Sequence, residues 1–172
     1  MVLMLLELGL VFWLSASIQR ISARAAITGF LVYAALNGLS LSVLFLVYTS
    51  TSIAATFFVT AGTFGAVSVY GWGTRRDLTS MGSFLFMGLL GVVIASVVNL
   101  FLHSSALDWV ITYVGLAVFI ALTAYDTQRL KAIQRSGGEA TEQLAVFGAL
   151  QLYLDFVNMF LYLLRMLGRR RS

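Results

Sequence analysis

The chain has 172 residues, 60% of them hydrophobic and only 10% charged, with a formal charge of +4. Soluble domains carry about 25% charged residues, and no soluble fold of this size hides so much apolar surface, so the composition excludes a soluble domain and implies a multi-pass membrane protein. Proline and cysteine are both absent, which removes ring-broken helices, disulfides and thiolate metal sites.

At about 20 apolar residues per crossing, six hydrophobic segments are expected, near residues 1–19, 25–47, 53–72, 78–102, 107–125 and 144–167. The fold class is therefore an all-α transmembrane bundle forming one domain over 1–172, with the last helix central. The opening residues lack a basic stretch and already contain Glu7, so they do not read as a cleavable signal. Polar runs mark the turns: Gln19-Arg20, Thr49-Ser50, Arg75-Arg76-Asp77, His103-Ser104-Ser105, and the long, flexible stretch from Arg135 to Glu139. Rows of small residues, Ala34/Gly38/Ser42, Ala61/Gly65, Gly62/Ala66 and Ala117/Ala121, are expected to let helix backbones approach closely. Trp72, Tyr70, Trp109 and Tyr113 near segment ends fit an interfacial aromatic belt.

Charge bias orients the bundle. Arg20 and Arg24, then Arg75 and Arg76, then Arg129, Lys131 and Arg135 follow the first, third and fifth segments, whereas loops 48–52 and 103–107 hold no Lys or Arg. The positive-inside rule makes the first group cytoplasmic. Arg169-Arg170-Arg171 disagrees, since it lies outside if the last segment crosses fully. Such basic loops suit topology and anionic headgroups better than nucleic acid, which is not an expected partner.

The last segment carries the strongest polar signal. Gln151, Asp155, Asn158, Tyr162 and Arg165 recur at spacings of four, three, four and three, one side of a helix. A central Asp in lipid costs roughly 2.5–3.5 kcal/mol, so this stripe should face protein or water. By rise per residue, Asp126 lies about 28 Å below the outer start of its helix and Asp155 roughly 12 Å above the inner face, so both acids occupy the inner half of the bilayer. If they meet, close carboxylates resist joint ionisation and should share one proton. Ionised, they would offer hard oxygens to a passing cation, with Asn158, Gln151, carbonyls or water completing the six to eight ligands that Ca²⁺ takes. Two acids make a weak transit site for Ca²⁺ rather than a tight store. The plainer alternatives are a solvated helix-end acid for Asp126, a structural pairing for Asp155, and a snorkelling or pairing role for Arg165. Glu7, about 18 Å above the inner end of its helix, is a third candidate for the seam. Arg20 lies at a depth that would neutralise Asp126. His103 reads as a solvated turn residue, since no second His exists to build a metal site.

These residues resemble a known family. Ala124-Tyr125-Asp126-Thr127-Gln128 and LYLDFVNMFLYLLRML are similar to the last two membrane helices of the Bax inhibitor family, the transmembrane BAX inhibitor motif proteins. LELGLVFWLSASIQRIS and YAALNGLSLSVLFLVYTSTSIAATF upstream are similar too, so the resemblance covers essentially the whole chain. It implies a bundle of seven membrane helices with the seventh central and, for a bacterial member in the inner (plasma) membrane, a pH-sensitive calcium leak channel gated by an aspartyl dyad. Asp126 and Asp155 match the dyad positions and Glu7 the acid of the family's second helix. Arg20 is the nearest match to an arginine at that helix's cytoplasmic end. The chain begins inside the segment matching that second helix, so the first is expected to be missing.

No enzymatic activity and no cofactor are expected. Intramembrane aspartyl proteases also place two acids on neighbouring helices, but they use a GxGD and a later proline motif. Here the second acid reads Leu152-Tyr153-Leu154-Asp155 and proline is absent. Two other readings stay open: a non-conducting regulator that binds membrane proteins such as proteases or cell-death partners, and a proton-coupled transporter. The other expected partners are the lipid bilayer, calcium ions and protons.

Overall fold

Ser22, Thr49 and Ser104 each start a long helix, the side-chain oxygen accepting the backbone N–H three residues on at 3.3, 3.4 and 3.3 Å. Each bond satisfies one of the amides that a helix N-terminus leaves unpaired, a need that is sharper at the edge of lipid. The computed structural model describes residues 2–18, 20–137 and 141–171. Its helices are α1 (Val2–Ser17), α2 (Ala23–Leu41), the short α3 (Leu44–Val47), α4 (Ser50–Gly73), α5 (Gly82–Leu102) after a 3₁₀ turn at Thr79–Met81, α6 (Ser105–Ser136) and α7 (Thr141–Leu167). Gln19, Gly138 and Glu139 of the expected turns lie outside the described residues.

Among the described residues five helical stretches are long and apolar enough to cross a membrane: Ala23–Val47, Ser50–Gly73, Thr79–Leu102, Ser105–Arg135 and Glu142–Leu167. The chain is thus an all-helical, multi-pass membrane protein. The first of the six expected segments has a described helix of 16 residues, about 24 Å at helical rise and shorter than a full crossing. The fifth segment, expected to stop near Tyr125, continues to Ser136. Gln128, Arg129, Leu130, Lys131 and Ala132 are good helix formers, so the polar composition ends the membrane contact and not the helix.

The bundle is organised around two adjacent helices. α6 packs on α7, α4 and α5, and α7 also touches α4 and α2. Of the five spans, α7 buries the largest share of its surface, in keeping with a central last helix. Leu14 of α1, Tyr33 of α2 and Leu150 of α7 meet in one buried cluster. The outer faces are apolar, as at Phe101 (81% exposed) and Phe58 (73%). With lipid on that side, helix association rests on packing more than on hydrophobic burial.

Close approach occurs at glycines outside the small-residue rows. A Cβ on Gly71 of α4 would collide with the carbonyl of Ala124 on α6, whereas Gly38, Gly62 and Gly65 have open space there. The glycines of the rows therefore do not mark these contacts, because spacing shows that a small face exists but not which face meets a neighbour. Buried threonines solve a related problem. The hydroxyls of Thr60, Thr123 and Thr127 donate to the carbonyls four residues back at 2.8, 2.8 and 2.7 Å, so no polar atom of these side chains needs an outside partner.

The arginine tail is also placed. Arg169 N–H donates to Ser52 Oγ (2.9 Å), its carbonyl accepts from Thr49 N–H (3.1 Å), and Arg171 N–H donates to the Val47 carbonyl (2.9 Å). The last span therefore runs through to the end of the bundle that holds the loops without Lys or Arg. Local pairing fixes the tail there against the charge rule.

A polar seam between the last two long helices

The stripe on α7 faces protein. Gln151, Asp155, Asn158 and Tyr162 line one cavity of about 770 Å³ between α5, α6 and α7, and Asp126 of α6 lines it as well. Asp126 is 5% exposed and Asp155 4%. Both carboxyls therefore face one enclosed space across the α6–α7 seam. Two carboxylates held close together resist joint ionisation. Asp155 Oδ2 is also buried with no hydrogen-bond donor reaching it from the described residues. Burying such an atom unpaired is costly, more so in a membrane.

Local sequence positions the rest of the seam. Asn158 Nδ2 donates to the Leu154 carbonyl (2.8 Å), which holds the amide along the helix beside Asp155. Tyr162 lies against Gly115 of α6, where any Cβ would meet the phenol ring, and near Phe119 at 6.0 Å between ring centroids. Arg129, one turn beyond Asp126, is the one cation among the described residues that line the cavity.

Arg165, the fifth member of the stripe, lies in a neighbouring cavity of about 460 Å³ with Asp108, Asn99 and His103. It pairs with Asp108 in the first turn of α6. Asn99 orders the same corner: its Nδ2 donates to Asp108 (3.2 Å), and its Oδ1 accepts from Ser104 N–H (3.0 Å). His103 is exposed and caps α5 in the left-handed conformation at φ 48°. The two cavities meet at Ser96 and Leu100, which line both. Polar groups thus run from the acids to the outer end of the bundle.

Two candidates fall elsewhere. Glu7 is buried but away from this cavity: Asn37 Nδ2 (3.3 Å) and the Ser40 hydroxyl of α2 donate to it, and Asn37 Oδ1 accepts from Tyr153 of α7 (3.1 Å). It belongs to a separate polar cluster joining α1, α2 and α7. Arg20 is exposed in the turn after α1 and does not line the cavity of the two acids, where Arg129 stands instead. Sequence reasoning missed Asp108 and Arg129. The first could be found as an acid in the first turn after the Ser104 cap, the second as the residue three places after Asp126, one turn along the same face. Among the described residues no group of three or more His, Cys, Asp or Glu could hold a metal ion; the side-chain oxygens lining the seam cavity include those of the two acids, Asn158 and Gln151.

A bundle of apolar spans enclosing a cavity with paired carboxyls defines an integral membrane protein whose polar chemistry lies between its helices. The chain belongs to the Bax inhibitor family, matching the family described as "Inhibitor of apoptosis-promoting Bax1" over residues 1–172. It is 52% identical to the inner membrane protein YbhL of Escherichia coli (strain K12), over 98% of this chain and 74% of that protein. An uncharacterized protein of Borreliella burgdorferi is 48% identical over all of this chain and 75% of its own length. The uncharacterized protein RP147 of Rickettsia prowazekii is 49% identical over 99% and 73%.

Proposed function

We propose that the protein is a pH-sensitive leak channel for calcium ions in a bacterial inner membrane, with Asp126 and Asp155 as its gate. The observation that carries this reading is the placement of the two buried carboxyls on one cavity at the α6–α7 seam, which adjoins a second cavity at the outer end. With one proton between them the acids hold the two helices together. Without it, two negative charges at contact repel, and they present hard oxygens to a divalent cation. Asn158 and Gln151 supply further oxygens beside the pair. So few protein ligands suit passage rather than storage. The inner-membrane location follows the name of the E. coli relative. No covalent chemistry and no cofactor are assigned. Calcium flux into liposomes carrying the purified protein tests the reading: flux that depends on pH in the parent and loses that dependence in Asp155→Asn supports it, and a parent without flux removes it.

A further inference from the structure

A second site lies at the inner end of the bundle, where the loop after α4 meets the far part of α6. Arg75, Arg76, Arg129, Lys131 and Arg135 line a recess of about 580 Å³ together with Asp77, its one acid. That acid is already engaged: its Oδ1 accepts from the Thr79 N–H (2.9 Å) and hydroxyl (2.5 Å). Among the described residues no carboxylate forms an ion pair with any of the five cations.

A cluster of cations is ordinarily a solvated face, but three features set this one apart. Gln128 fixes the loop from both sides, Oε1 accepting from Leu78 N–H and Nε2 donating to the Arg76 carbonyl, both at 2.8 Å, so the recess is formed in advance. Lys131 donates to the Trp72 carbonyl and stands 5.6 Å from the Trp72 ring centroid, which places its ammonium at an aromatic of the membrane–water interface. The third feature selects the occupant. One turn deeper on the same two helices, Ala66, Tyr70, Ala121 and Ala124 line an apolar groove of about 400 Å³, and Leu78 of the same loop, between the recess residues Asp77 and Thr79, lines it too. A basic recess beside an apolar groove fits a molecule with an anionic head and a hydrocarbon chain.

We propose that this composite site binds an anionic phospholipid, its phosphate held by the loop and α6 cations and one acyl chain lying in the groove between α4, α5 and α6. Arginine forks match phosphate oxygens in pairs, and basic pockets on the cytoplasmic side recognise lipid head groups in this way. Arg129 lines both this recess and the cavity of Asp126 and Asp155, so a bound head group competes for the one cation of the acid cavity. That link rests on the channel reading; binding itself does not.

Native mass spectrometry of the full chain in detergent, with phosphatidylglycerol and phosphatidylcholine as probes, tests the proposal. Phosphatidylglycerol should be retained preferentially. Arg75→Gln/Arg76→Gln, both exposed loop residues, should weaken retention roughly tenfold or more, and Ala121→Leu should weaken it by filling the groove. Arg24→Gln, an exposed cation on the same charge-defined side, should leave it unchanged. Equal losses in Arg24→Gln and the loop variant would reduce the effect to general surface charge and overturn the site, as would equal retention of the two lipids. If inorganic phosphate displaces the lipid and binds as well in Ala121→Leu as in the parent, the recess is a free-anion pocket and the lipid assignment is wrong. Each readout is binding, so loss of calcium flux alone would strike the channel reading and not this one.

Discussion

Asp126 of α6 and Asp155 of α7 line one cavity at the seam between the two most enclosed spans, both almost fully buried. A carboxyl buried in a membrane span is costly unless it faces protein or water, and here both face the same polar-lined space.

Glu7 separates the geometry of this chain from what motif resemblance alone would assign. Its carboxyl accepts from Asn37 and Ser40, so Glu7→Ala leaves two half-buried donors without that acceptor. The expected cost is about 1–3 kcal/mol of stability, read as a lower unfolding temperature in detergent. The pH response of calcium flux should persist, because Glu7 does not line the cavity of the two acids.

Gly71 tests a close helix–helix contact. A methyl group there meets the backbone carbonyl of Ala124, and backbone cannot rotate away as a side chain can. Gly71→Ala should destabilise the protein by about 1–3 kcal/mol. Gly62→Ala, at a position with open space, should leave the unfolding temperature nearly unchanged.

The Arg165–Asp108 pair is expected to contribute little by itself. Both side chains are 39% exposed, and ion pairs with such access to solvent typically contribute about 0.2–1 kcal/mol. A double-mutant cycle with Arg165→Gln and Asp108→Asn, followed by thermal unfolding, should return a coupling in that range and a smaller one at high salt.

The inner loop carries a pH dependence of known sign. Hydrogen bonds from the Thr79 hydroxyl and then its N–H hold the Asp77 carboxyl below its ordinary range. A depressed carboxyl stabilises the fold above its unfolded value, about 3.9, and the contribution disappears as pH falls through the folded value. Hydrogen exchange at the Thr79 amide should therefore lose protection on strong acidification. In Asp77→Asn that acid-dependent step should be absent.

Much of this arrangement is legible in the residues. The four-three-four-three spacing around Asp155 marks one helix face, and four of its five members line a single cavity. Helical rise places Asp126 and Asp155 at similar depth, and both line that same cavity. What periodicity cannot give is which neighbour a face meets. Glu7 has a depth that suits the seam, yet packing turns it toward α2. Arg20 has a matching depth too, but Arg129 holds the wall because it shares a helix with Asp126. The extra length of α6 was hidden for another reason: charge ends a hydropathy segment, whereas helix propensity carries the backbone on to Ser136.

The most direct test is calcium flux in liposomes for the parent, Asp126→Asn and Asp155→Asn, measured on either side of neutrality. An amide cannot ionise and keeps nearly the same shape, so each variant removes the titration and leaves the packing. Flux through the parent should change with pH, and flux through the two variants should not. Variants that keep the full pH response of the parent would contradict the gate assignment.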